Sequence, residues 1–113
     1  MPDIQILTLN GFQIIPPTEH GDVFTTHHSF RVRHVKDGSV VTVTVTINPE
    51  AVSRVERLTR RRLEPGGAFW RGQAERLLAS YLWTEGKPPP TGALTVEDVS
   101  REDLDIAADW KAG

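Results

Sequence analysis

A chain of 113 residues with 38% apolar and 25% charged residues has the make-up of one ordinary globular domain, not of a disordered tail. A net charge of -2 exerts no overall pull on nucleic acid or anionic membrane, and the absence of cysteine excludes disulfides, thiol catalysis and thiolate zinc sites. The start, MPDIQILTLNGF, has no basic segment leading into an apolar core, and no apolar run approaches the ~20 residues that cross a bilayer; a cytoplasmic location is the expectation.

Residues 4–15 are rich in Ile, Leu and Phe around Asn10-Gly11, a strong turn dipeptide, so they form either a short hairpin or one bulged strand. Residues 16–22, PPTEHGD, read as a loop. The next stretch, from Ser29 to Ile47, alternates apolar with polar residues on both sides of Asp37-Gly38, the best hairpin signal in the chain. A two-residue loop pairs Lys36 with Ser39. It sets Phe30 beside Val45, Val32 beside Val43 and His34 beside Val41 on one face, and Arg31 beside Thr44 and Arg33 beside Thr42 on the other. The Arg/Thr face lacks the aromatic residues of a single-strand-binding platform and reads as a solvated sheet surface.

Asn48, Pro49 and Glu50 are a helix start, with a capping side chain, a proline at the first helical position and an acid near the helix dipole. The predicted helix covers 49–63, with a core stripe of Ala51, Val52, Val55, Leu58 and Leu63. Arg54, Arg57, Arg60 and Arg61 lie opposite that stripe. Glu50 can pair with Arg54 and Glu56 with Arg60, four residues apart. Glu64 to Gly67 break this helix, and a second runs over 68–85 with Gly86 as its cap. GKPPPTG, 86–92, is a stiff extended linker. ALTV can add a short strand. Ser100 with Asp103 then opens a last helix reaching toward Trp110. The order β-β-β-α-α-(β)-α describes a small single α+β domain. It predicts an antiparallel three-stranded, possibly four-stranded, sheet with two to three helices on one face.

The second helix is apolar on two sides. Trp70, Ala74, Leu77, Leu78, Tyr81 and Leu82 make a broad stripe, while Phe69, Gly72, Ala79 and Trp83, with Arg76 among them, fall on the far side. The far side is covered either by the chain's own carboxyl-terminal segment or by a partner. Phe69, Gly72, Arg76, Trp83 and Trp110 are therefore the candidate partner interface, whether for a homodimer or for a larger complex. Charge is also uneven, with residues 48–87 at net +3 and residues 88–113 at net -4. The acidic tail can neutralise the arginine helix within the fold. Alternatively Arg54, Arg57, Arg60 and Arg61 contact an anion or nucleic acid.

No cofactor or metal is expected. His27 and His28 point to opposite faces of a strand, and His28 and His34 sit roughly 20 Å apart on one face. No phosphate loop, dinucleotide turn or serine elbow is present. The only acid-base cluster is His20, Asp22 and His27, in the 18–28 loop. The sequence thus favours a small non-enzymatic interaction or regulatory subunit. A nucleic-acid-binding regulator is the first alternative and a small enzyme centred on the 18–28 loop the second.

Overall fold

The computed structural model describes residues 6–8, 10–15 and 24–110. Its five strands are β1 (Ile6–Leu7), β2 (Phe12–Ile15), β3 (His27–His34), β4 (Val40–Ile47) and β5 (Ala93–Val96). Its three helices are α1 (Pro49–Thr59), α2 (Ala68–Glu85) and α3 (Arg101–Ala108). The strands form one sheet in the order β1-β2-β3-β4-β5, in which β1 is only a two-residue appendage. Neighbours are antiparallel up to β4, and β5 is parallel to β4. The sheet is therefore mixed, where the sequence led us to expect a purely antiparallel one. The helices α1 and α2 supply the reason. A chain that leaves β4, crosses the sheet through two helices and returns beside the same strand can enter in the same direction.

Between β1 and β2, Thr8 and Phe12 close the turn, with the Thr8 amide donating to the Phe12 carbonyl at 2.8 Å and Gly11 at φ 90. Of the two readings the sequence left open for residues 4–15, the short hairpin is the one adopted. The β3–β4 hairpin also forms, but two residues out of the predicted register. Phe30 lies opposite Val43, Val32 opposite Val41, Arg31 opposite Thr42 and Arg33 opposite Val40. A two-residue loop of the expected kind needs positive φ at both central positions. Gly38 has φ 74, but among the described non-glycine residues only Arg60 has positive φ. The loop therefore spans four residues, Val35 to Gly38. Here the His34 amide donates to the Ser39 carbonyl at 2.9 Å and Gly38 to the His34 carbonyl at 2.7 Å. The Asp37 carboxylate accepts the Ser39 amide at 2.9 Å. A shift of two leaves every side chain on its predicted face, since strand side chains repeat with period two. It does leave Val40 and Val41 exposed at the tip.

Helix α1 begins as expected, with the Asn48 side chain accepting the Glu50 amide at 3.0 Å. It ends four residues before the predicted limit. The Thr59 hydroxyl donates to the Val55 carbonyl and accepts the Arg61 amide, and Arg60 turns left-handed at φ 58. Ala51, Val52 and Val55 are buried as predicted, but Leu58, assigned to the core stripe, is 58% exposed. Arg62 lies beyond the helix and bridges Glu56 at 2.9 Å and Glu64 at 3.1 Å. Helix α2 keeps its predicted bounds, with Gly86 as a left-handed cap at φ 70. Its end is pinned by the Asn10 side-chain amide, which donates to the Leu82 carbonyl at 2.8 Å.

The core is one cluster. Phe30, Val32, Val43, Val45 and Ile47 of the sheet meet Val55 of α1, Trp70, Leu78 and Leu82 of α2, and Ala107 of α3. Burial of this apolar surface is the main stabilising term. The opposite face of the hairpin carries Ser29, Arg31, Arg33 and Thr42, all exposed. The 86–92 segment, read as an extended linker, folds against the domain: Pro89 is buried and accepts the Gly92 amide at 2.9 Å.

Candidate functional site

The five residues of the candidate interface separate into two groups. Phe69 is buried, with its ring against Trp70 at a centroid distance of 5.1 Å and against Trp110 at 5.4 Å, both edge-on. The carboxyl-terminal segment thus covers the amino-terminal end of the second α2 stripe. Gly72, Arg76 and Trp83 remain on the solvent side of the helix. Trp83 is 57% exposed, and a Cβ added at Gly72 would meet nothing within 4 Å. Gly72 is therefore not held by any close contact inside the described chain, although glycine costs helix stability relative to alanine.

Arg76 reaches over to α3. Its guanidinium lies 2.7 Å from the Asp103 carboxylate, which is itself almost buried. Burial alone would raise the Asp103 pKa. Hydrogen bonds from Arg76, Ser100 and Gln73 outweigh it and hold the carboxyl below its ordinary range. The same Asp103 belongs to the α3 cap: its amide donates to the Ser100 hydroxyl at 3.2 Å, and that hydroxyl donates back to the carboxylate at 2.8 Å. This cap was visible in the sequence; the tie to Arg76 was not.

Beside this tie runs a groove of about 450 Å³ between α2 and β5. Leu77 and Ser80 line the helix side, Thr95 and Val96 the strand side, and Glu97 and Asp98 the rim. The sequence reading did not identify it, because it exists only once β5 has joined the sheet.

The arginines of the predicted 49–63 helix also divide: only Arg54 and Arg57 lie on α1, Arg60 is its left-handed cap and Arg61 follows it. Arg54 binds Asp98 at 2.6 Å and the Val99 carbonyl at 3.2 Å, and Arg61 donates to the Ala108 carbonyl at 3.0 Å. Both tie the arginine helix to the acidic segment. Arg57 and Arg60 are exposed and make no ion pair among the described residues.

Of the histidines, His28 is buried with Nε2 2.7 Å from the Pro65 carbonyl, so Nε2 carries the proton and donates. Burial, with the nearby charge of Arg71, outweighs that hydrogen bond and lowers its pKa. His34 stacks on Phe12 at 4.7 Å, with Nδ1 3.4 Å from the Asp37 carboxylate. His27 is exposed beside the Thr46 hydroxyl at 3.0 Å. His20 and Asp22, its partners in the acid-base cluster, lie outside the described residues. Among the described residues no group of three or more His, Asp or Glu is placed to hold a metal ion, and no helix is long and apolar enough to cross a membrane.

Comparison with protein-family models, with curated proteins and with solved structures finds no match for this chain.

Proposed function

We propose that this chain is a small non-enzymatic subunit or regulator that works by binding protein, as a homodimer or within a larger complex. The contact surface is the solvent side of α2. One observation carries the reading: Trp83 lies 57% exposed on that side, two turns beyond Arg76 and at nearly the same azimuth. Tryptophan holds more apolar area than any other side chain, and interface hot spots are enriched in it. The helix needs no such residue there for its own packing, because Trp70, Ala74, Leu78 and Leu82 already fill its core stripe.

The arginine helix supports an anion-binding role less well, since Arg54 and Arg61 are engaged within the fold.

Acrylamide quenching of tryptophan fluorescence, combined with light scattering and capture from the native host, tests the proposal. Trp70 is fully buried, so Trp83 supplies most of the quenchable signal in the free protein. On association that signal becomes shielded, and Trp83→Ser abolishes the association. A wild-type protein that stays monomeric, and captures no chain that Trp83→Ser fails to capture, sinks the reading.

A further inference from the structure

We propose a second contact surface: the outer edge of β5 docks an extended, positively charged strand of another protein, whose side chains enter the groove beside α2. The first support is the phase of hydrogen bonding. The Thr44 amide donates to the Gly92 carbonyl at 2.9 Å, and the Asn48 amide donates to the Val96 carbonyl at 3.0 Å. In a parallel ladder the inward-facing residues alternate. Leu94 and Val96 therefore bond to β4, and Ala93 and Thr95 direct their amides and carbonyls outward. Among the described residues β5 is the last strand of the sheet, and both Ala93 and Thr95 are exposed. Among the described residues the Thr95 backbone has no partner on that side. Such an edge is a template for a further strand.

The groove supplies the second support. Thr95 carries its side chain on the face away from the helices, alongside Thr46, yet it lines the groove. The groove therefore reaches the strand's outer edge. A chain laid along β5 would place alternate side chains over Leu77 and Val96.

Charge selects the occupant. The groove carries Glu97, Asp98 and Asp103 against a single cation, Arg76. Asp103 is paired with Arg76 and Asp98 with Arg54, but among the described residues Glu97 meets only the neutral Asn48 amide, at 3.2 Å. A basic side chain on the incoming strand completes Glu97. A second copy of this chain would instead bring the same acidic rim, and a segment of net charge -4, against its equal. Like charges brought together oppose that pairing.

The test uses a short fluorescein-labelled peptide of alternating valine and threonine carrying two lysines, and its twin with glutamates in their place. Anisotropy titration of the full-length protein is expected to show the lysine peptide binding about tenfold or more tightly than its twin, with the advantage shrinking as salt rises. Thr95→Pro removes the outward amide but none of the β4–β5 ladder bonds, since proline is tolerated on an edge strand. It weakens the lysine peptide about fivefold, as expected for one lost backbone hydrogen bond, while circular dichroism reports an unchanged fold. Glu97→Lys, an exposed substitution, inverts the preference between the two peptides and keeps the proposal testable if Thr95→Pro unfolds. Equal binding of the two peptides, no binding of either, or insensitivity to both substitutions overturns the proposal. So does a wild-type dimer that Thr95→Pro dissociates, because the edge would then belong to a second copy.

Discussion

The indole of Trp110 stands edge-on to the ring of Phe69, 5.4 Å between centroids and 78° between planes. The apolar and aromatic residues of α2 fall on two sides of the helix, and only one side can face the sheet. This one contact decides which half of the helix's second stripe belongs to the fold. It covers Phe69, at the amino-terminal end of the stripe, with the chain's own tail and leaves Gly72 and Trp83 in solvent.

The two tryptophans should therefore respond in opposite ways to truncation. Trp110→Ala uncovers Phe69 and removes a partly buried ring, which costs about 1–3 kcal/mol, somewhat less than for a fully enclosed aromatic. Trp83→Ala lies outside the core, and its cost stays within about 0.5 kcal/mol. Urea denaturation followed by circular dichroism measures both. Equal losses would show that Phe69 does not depend on its carboxyl-terminal cover.

Acid should destabilise the protein through His28. Its folded-state pKa lies below the ordinary 6.5 because burial disfavours the cation. Below 6.5 the unfolded chain then binds more protons than the folded one. The stabilisation is complete above that value and is lost as pH falls through the folded-state pKa. His28→Phe removes this dependence. It also leaves the Pro65 carbonyl without its donor, at a cost of about 1–3 kcal/mol at neutral pH. Urea midpoints recorded between pH ~8 and ~5 for both proteins test the sign. Parallel curves would remove His28 from the pH response.

The early end of α1 also makes a prediction. Leu58 and Val55 are both apolar and one turn apart, yet Val55 is buried and Leu58 is mostly in water. Leu58→Lys should change stability by no more than about 0.5 kcal/mol. Val55→Ala, which opens a cavity against the sheet, should cost about 2 kcal/mol. Thermal or urea unfolding distinguishes them, and a large loss at Leu58 would restore it to the core stripe.

Much of this architecture was legible before any coordinates. Asn48-Pro49 marked the start of α1, Gly86 the end of α2, and Ser100 with Asp103 the start of α3, because caps are chemistry between residues two to four apart. The alternation from Ser29 to Ile47 assigned each side chain to its face. The candidate site was only partly legible. The apolar excess of α2 was apparent, but Phe69 and Trp83 could not be told apart by a helical period that places them on the same side.

What the sequence determined alone was local: element type, caps, face assignment and the surplus of aromatic surface on α2. Tertiary structure decided the two-residue shift of the β3–β4 hairpin, to which a period-two pattern is blind. It decided the parallel entry of β5 and the groove that follows from it, since both need the crossover to be complete. It also decided which part of α2 is covered, because Trp110 reaches Phe69 only after the intervening chain has folded back across the domain.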